Sequence, residues 1–233
     1  MTSELDKDAV ARAYARWAPV YDIVFGAVFE RGRKASIAAA ERIGGSILEV
    51  GVGTGLSLPD YSWTNRLVGV DLSAPMLRKA KERAAEHRLT NVDGLAVMDA
   101  QRLGFQDGVF DVVVAQYVIT AVPDPEATLD EFVRVLKTGG EIILVNHLGA
   151  EGGPRAAFER GFAPLARRLG WRPEFRWRRL AQWAASHGGV SVIERRPMPP
   201  LGHFSLIRFA KLPHAGAKTG VKTGAEARIG ETA

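Results

Sequence analysis

The chain has 233 residues, 46% of them hydrophobic, no cysteine and a formal net charge of +5. That length suits one domain with its own core; disulfides and thiolate chemistry are excluded, and no run approaches the roughly 20 apolar residues of a membrane span. The charge is uneven, −4 over residues 1–150 and +9 over residues 151–233, so the second half is expected to meet an anionic partner.

The first ten residues, MTSELDKDAV, carry acids where a signal peptide has a basic start, so a cytoplasmic location is expected. Residues 9–42 have helical periodicity through Tyr14, Trp17, Ala18, Tyr21, Val24, Phe25, Val28 and Phe29. Pro19 divides the stretch into two amphipathic helices. Ser46–Gly51 is a short apolar strand entering a glycine turn, and Arg66–Asp71 is a second strand. Ala74–Arg88 is a helix with Ser73 placed to cap it and Pro75 in its first turn. Gly94–Met98 and Phe110–Gln116 are strands. Asp124–Lys137 is a helix expected to stop at Gly139-Gly140, followed by a strand over Glu141–Leu148. This alternation predicts an α/β fold, a parallel sheet with helices on both faces. Residues 150–187 read as helical, basic and aromatic. Val190–Arg195 and His203–Lys211 are expected as an antiparallel pair at the sheet's edge. From Pro213 onward little can be buried, and a disordered tail is expected.

The chemistry concentrates at Glu49-Val50-Gly51-Val52-Gly53-Thr54-Gly55, at the end of the first strand. Glycines let a backbone turn sharply and approach a ligand closely. Asp71 ends the second strand, where an acid receives ribose hydroxyls in a doubly wound sheet. Asp99 follows the third strand and is placed to accept from an adenine amino group. A dinucleotide fingerprint reads G-x-G-x-x-G, whereas this spacing is G-x-G-x-G, and Glu49 would repel a pyrophosphate. An acid there suits a ligand with a positive charge, such as a methionine amino group.

The segments ILEVGVGTGLSLPDY, VGVDLSAPML and FDVVVAQYVITAVPDP, with the strand-end Asp99, resemble the class I S-adenosylmethionine-dependent methyltransferases over residues 45–148. The resemblance implies a Rossmann-like seven-stranded methyltransferase sheet whose last two strands are the antiparallel pair. It implies S-adenosyl-L-methionine as cofactor, with Glu49, Gly51, Gly53, Thr54 and Gly55 along its methionine part. Asp71 would hold the ribose, Leu72 and Met76 would lie beside the adenine, and Asp99 and Ala100 would take its amino group and ring. Gln116 would sit near the reacting methyl. The implied organisation is one methyltransferase domain over 1–212: a lid or membrane-contact segment at 1–42, a cofactor-binding core at 43–148, and a substrate insertion with the terminal strand pair at 149–212.

The segment AYARWAPVYDIVFG resembles stretches of both ubiquinone/menaquinone methyltransferases and bacterial phospholipid N-methyltransferases, and VNHLGAEGGPRAAFERGFAPLARRLGWRPEF extends the resemblance to the soluble bacterial phosphatidylethanolamine N-methyltransferases, up to about residue 212. That implies a phospholipid substrate and reversible association with the inner face of a membrane, as a monomer. The stretch RRLGWRPEFRWRRL at 167–180 holds six arginines with Trp171, Phe175 and Trp177. Arginine forks bind phosphate and tryptophan prefers the headgroup layer, so this stretch and the N-terminal helix are expected to contact an anionic surface. A solvated basic face with the aromatics in the core is the plainer alternative, and RNA binding the weaker one. The expected contacts to the reacting amine are Tyr14, Tyr21, Tyr117 and His147, the histidine suiting proton exchange near neutrality. Arg155, Arg172 and Arg176 are the candidates for the lipid phosphate. No metal-ligand spacing occurs. The competing functions are a ubiquinone or menaquinone-precursor methyltransferase and a non-catalytic cofactor-binding membrane sensor; the glycine spacing weakens an oxidoreductase reading.

Overall fold

The computed structural model describes residues 29–149, 175–198, 202 and 204–213. The expected helices before residue 29, most of the expected helical segment at 150–187 and the tail from 214 lie outside these. Residues 29–41 form helix α1, which buries Phe29, Ser36, Ile37, Ala39 and Ala40 along one face. The chain then runs β1 (Ser46–Val50), a 3₁₀ turn (Leu58–Asp60), β2 (Arg66–Asp71), α2 (Ala74–Glu86), β3 (Val92–Val97) and β4 (Phe110–Gln116). It continues with α3 (Pro125–Val135), β5 (Leu136–His147), α4 (Trp177–His187), β6 (Val190–Met198) and β7 (Phe204–Lys211).

The seven strands form one sheet in the order β3-β2-β1-β4-β5-β7-β6. β1 to β5 are parallel, and β7 is antiparallel to both β5 and β6. The expected Rossmann-like sheet with its terminal antiparallel pair is therefore present. β1 pairs with β2 on one side and β4 on the other. The chain thus winds outward in both directions from β1 and β4, and their carboxyl ends border the crevice where such sheets bind ligands.

Both faces of the sheet are buried, as near-continuous apolar strands require. One face carries Leu48, Val50, Val113, Ala115, Ile142 and Leu144 against Leu129, Phe132, Leu180 and Trp183 of α3 and α4. The other carries Ile47, Val112, Val114, Ile143 and Val145 against Phe29, Ile37 and Ala40 of α1 and Leu77 and Ala80 of α2.

Several boundaries depart from the sequence reading, among them the end of β6, which runs to Met198 rather than Arg195, and β3, which spans Val92–Val97 rather than Gly94–Met98. α3 ends at Val135, not at the glycine pair, because Leu136 is already extended and pairs with Phe110. β5 consequently runs straight through Gly139 and Gly140, with a register shift between Phe110 and Val112. Gly140 is required there: a Cβ would stand 2.7 Å from Asp111 O and 3.0 Å from Lys137 O. α2 stops at Glu86, with Arg88 in the left-handed region at φ 51°. Ser73 occupies the N-cap position, but its side chain makes no cap hydrogen bond. Asp124, by contrast, caps α3 through Ala127 N at 3.0 Å.

The aromatics of the 167–180 stretch that the structure describes face inward. Phe175 is buried, and Trp177 stacks on Phe209 with ring centroids 6.4 Å apart. These two rings belong to the core under α4 rather than to an outward aromatic belt; Trp171 lies outside the described residues.

Candidate active site

The turn after β1 is built from backbone conformations that glycine adopts without strain. Gly51, Gly53 and Gly55 have φ of 74°, 56° and 76°. A Cβ on Gly51 would run into Val118 Cγ2, so this glycine lets the turn lie against the chain leaving β4. A Cβ on Gly55 would stand 3.1 Å from Ala80 Cα, so this one admits α2. At Gly53 a Cβ would meet nothing within 4 Å.

Asp71 ties the turn to β2. Its Oδ2 accepts from Gly53 N at 2.9 Å and its Oδ1 from Ser73 N at 2.8 Å. Burial raises its pKa, while the N–H groups of Ser73, Gly53 and Leu72 oppose that shift. A carboxylate offers about four lone-pair sites, so two bonds leave acceptor capacity for vicinal hydroxyls. Thr54 is buried, and its carbonyl accepts from Arg83 Nη1 at 2.7 Å, which fixes the turn to α2.

Glu49, the penultimate residue of β1, is 2% exposed. Its Oε1 accepts from Ser57 Oγ at 2.5 Å. Burial pushes its pKa up to about 7, against the opposing pull of the Ser57 and Tyr61 hydroxyls and the Arg33 guanidinium. The Tyr61 hydroxyl is near enough to exert that pull. Among the described residues, Glu49 Oε2, Tyr61 OH and Arg33 Nε are all buried without a hydrogen-bond partner. Arg33 makes an ion pair to Asp60, at 3.6 Å. Unpartnered buried polar atoms are costly, and three together, one anionic and one cationic, complement a zwitterion.

Beyond the end of β2, Leu72 is 43% exposed, whereas Met76 is buried on α2. Asp99 Oδ1 accepts from Gln101 N at 3.1 Å, and Ala100 packs against the core. The loop that follows is held by Arg134, which donates to Leu103 O, Phe105 O and Asp107.

At the carboxyl ends of β4 and β5 the site becomes aromatic. Tyr117 has φ 63°, and its hydroxyl donates to Phe29 O at 3.0 Å. Its ring lies 4.2 Å from that of Phe29 and 5.5 Å from that of Phe204. His147 stands edge-on to Phe204 at 6.2 Å. Gln116 Nε2 is buried without a hydrogen-bond partner among the described residues.

A family model described as a methyltransferase domain matches residues 48–144. Over 207 residues the chain is 42% identical to a phosphatidylethanolamine N-methyltransferase of Cereibacter sphaeroides, covering 89% of this chain and all of the relative. The chain belongs to the class I S-adenosylmethionine-dependent methyltransferases. A demethylmenaquinone methyltransferase of Thermobifida fusca is 32% identical over 72% of this chain and 70% of its own. Among solved structures, a Haloferax volcanii methyltransferase in complex with the Trm112 activator superposes with a TM-score of 0.70. It covers 88% of this chain and 98% of its own at 18% identity, a likeness of fold alone. The enzyme is thus a methyltransferase whose cofactor is S-adenosylmethionine.

The methyltransferase fold brings Glu49, Gly51, Gly53, Thr54, Gly55, Asp71 and Gln116 to one edge of the sheet, at the ends of β1, β2 and β4. Leu72, Met76, Asp99 and Ala100 follow the ends of β2 and β3, and Tyr117 and His147 stand at the ends of β4 and β5. Arg176 is exposed at the start of α4. Tyr14, Tyr21, Arg155 and Arg172 lie outside the described residues. The sequence reading passed over Arg33, Ser57, Tyr61, Phe29 and Phe204 as site residues. Arg33 had a signal: it stands midway between Phe29 and Ile37, four residues from each, on the buried face of a helix. An arginine there needs an anionic partner. Phe204 had none, since only the antiparallel return of β7 carries it to this edge.

Proposed function

We propose that this methyltransferase methylates the amine of phosphatidylethanolamine, successively toward phosphatidylcholine, at a membrane surface. The observation that carries the reading is the 42% identity across the whole length of a relative named for that reaction. The aromatic group formed by Phe29, Tyr117, Phe204 and His147 agrees with it, since ring faces stabilise methylated ammonium products.

The unpartnered atoms fit the cofactor. Glu49 would receive its ammonium and Arg33 its carboxylate, with Asp71 on the ribose hydroxyls and Asp99 on the adenine amino group. When bound, the cofactor would supply its sulfonium methyl to the amine lone pair, with sulfur keeping the C–S electron pair, and the methylated ammonium would lose a proton before another round. The chain's own part is to align and to shield. His147, at the end of β5, is the proposed acceptor of that proton.

Glu49 makes cofactor binding pH-dependent. Its carboxyl is neutral below about pH 7 in the unliganded enzyme, and a cationic partner requires it ionised. Affinity for S-adenosylmethionine is therefore expected to fall about tenfold per pH unit below 7. Stability runs the other way. A raised carboxyl pKa stabilises the unliganded fold at pH below its unfolded value of 4.5, and that contribution is lost as pH rises through about 7. Calorimetric titration and melting curves from pH 5 to 8 should show both slopes, and Glu49→Gln should flatten both.

Three exposed cations stand at the start of α4 and on β6. Arg176, Arg178 and Arg195 are exposed, and none has a carboxylate partner among the described residues. Arg195 lies over the Trp177 ring at 5.0 Å. Val192 and Ile193, each 44% exposed, lie on the same edge strand. Cations beside apolar tips suit an anionic lipid surface. None of the described helices is long and apolar enough to cross a membrane. Replacing the three arginines by glutamine is expected to weaken co-sedimentation with anionic vesicles about 100-fold, leaving cofactor affinity unchanged. The reaction itself is tested by release of S-adenosylhomocysteine. Phosphatidylethanolamine vesicles should elicit it; release with a demethylmenaquinone alone would overturn the proposal.

A further inference from the structure

Two locally unfavourable choices meet at Tyr117. Its φ of 63° lies in the left-handed region, which is costly for a residue with a Cβ. Gly32, buried within α1, is a poor helix former. Each accounts for the other. A Cβ on Gly32 would run into the Tyr117 hydroxyl and stand 2.7 Å from Val145 Cγ1. The glycine leaves room for the tyrosine, and the left-handed backbone turns the tyrosine onto α1. Tyr117 N still donates to Val145 O at 2.6 Å, so the backbone stays on β5 while the side chain crosses to the helix. Strain held in place by its surroundings in this way clusters at functional sites.

The Tyr117 hydroxyl is engaged by α1. It donates to Phe29 O at 3.0 Å, and the two rings lie 4.2 Å apart. Burial raises its pKa against the opposing pull of the Arg33 guanidinium, so it is a protonated donor. Arg33 follows Phe29 by one helical turn, and its charge acts on both Tyr117 and Glu49. On the other side, Val118 lies against the glycine turn, where it would meet a Cβ on Gly51. Residues 117 and 118 thus join the glycine turn to the helix that carries Phe29 and Arg33.

We infer that Tyr117 is a positioning residue rather than a contact to the amine: its hydroxyl holds α1 so that Arg33 meets the cofactor's carboxylate and Phe29 borders the amine. This rests on the placement of cofactor and amine proposed above. Gly32 belongs to the same device, as the gap in α1 through which the hydroxyl reaches the Phe29 carbonyl.

The two roles are separable. A hydroxyl that accepted an N–H of the amine would serve the primary and secondary amines and not the tertiary, which has no N–H. A hydroxyl that holds α1 serves all three alike, and it serves the cofactor as well, because Arg33 is on the same helix. Glu49 faces Arg33 from α1, and Ser57, Asp60 and Tyr61 from the segment after the turn. Withdrawing Arg33 removes the one cation of this set, so the carboxyl then ionises at higher pH.

The test is Tyr117→Phe, which keeps the ring and removes the hydroxyl. S-adenosylmethionine affinity is measured by calorimetry from pH 5.5 to 8.5, and kcat/KM on vesicles of phosphatidylethanolamine and of its mono- and dimethylated forms. We expect cofactor affinity to fall about tenfold and kcat/KM to fall by one common factor of about ten on all three lipids. The pH midpoint of cofactor binding should move above about 7 as Arg33 leaves Glu49. Gly32→Ala, which drives a methyl against the hydroxyl, should give the same pattern, and the double variant should lose less than the product of the two single losses. A full product would overturn the shared device. A loss confined to the two lipids that bear an N–H, with cofactor affinity and midpoint unchanged, would make the hydroxyl an amine contact instead. A lowered melting temperature with cofactor affinity and kcat/KM within about twofold of wild type would assign it to the fold alone. The cofactor arm needs no lipid. Inactivity of the wild type toward all three lipids would overturn the lipid reading, and the cofactor arm would support or overturn the role of Tyr117 by the same results.

Discussion

Asp71→Ala is expected to weaken S-adenosylmethionine binding at least about 100-fold and to lower the melting temperature by about 8 °C. The carboxylate has two tasks. It accepts from Gly53 N and Ser73 N, and so joins the glycine turn to the end of β2. Its remaining lone pairs are those proposed for the ribose. Alanine removes both. It leaves two N–H groups without their acceptor, at about 1.5–3 kcal/mol for each charge-assisted bond lost, and it removes the hydroxyl contacts, at about tenfold each. Asp71→Asn separates the tasks. It retains one acceptor oxygen but turns the other into a donor that confronts an N–H, so stability should fall nearly as far. Isothermal titration with thermal melts reads both quantities. Wild-type affinity in either variant would remove Asp71 from the cofactor site.

Gly51→Ala is expected to be the most damaging single methyl addition in the turn. Left-handed backbone costs alanine about 1–2 kcal/mol, and the new Cβ would run into Val118 Cγ2, adding about 1–3 kcal/mol of overpacking. The turn and the segment after β4 must then separate, and that segment carries Gln116 and Tyr117 to the site. Cofactor affinity should fall at least about 100-fold. Gly53→Ala is the internal comparison. Its φ of 56° carries the same backbone penalty, but its Cβ would meet no protein atom within 4 Å. Gly53→Ala should therefore cost about 1 kcal/mol of stability, and Gly51→Ala about 3 kcal/mol. Equal costs, measured by denaturant unfolding, would show that the contact with Val118 is relaxed at no cost.

Much of the fold was legible because its signals are local. A strand ending in a glycine turn, an acid at the next strand end and another after the third suffice to order β1, β2 and β3. The misplaced end of α3 shows the limit. Leu136 and Lys137 continue the helical pattern, but Leu136 pairs with Phe110 on a strand 26 residues earlier, and that distant ladder prevails over local periodicity. Ser73 was a sound capping residue by type. Its N–H instead serves Asp71, and its side chain caps nothing.

The site was legible in the same measure. Glu49 and Asp71 stand out because a carboxylate at a strand end needs a reason. Arg33 meets Glu49 only through the packing of α1 on the sheet. Phe175 and Trp177 misled for the opposite reason. Aromatics among arginines suggest an outward surface, but their alternation places the rings under α4 and leaves Arg176 and Arg178 exposed.

The central claim, that the methyl acceptor is the lipid amine, is tested most directly by locating the transferred methyl. The enzyme would be incubated with S-adenosylmethionine carrying a ¹³C-methyl group and with vesicles of phosphatidylethanolamine, and the extracted lipids analysed by mass spectrometry and carbon NMR. The account predicts ¹³C on nitrogen, in mono-, di- and trimethylated headgroups that appear in that order. Label on carbon or oxygen of a co-supplied quinone precursor, with phosphatidylethanolamine unlabelled, would contradict it.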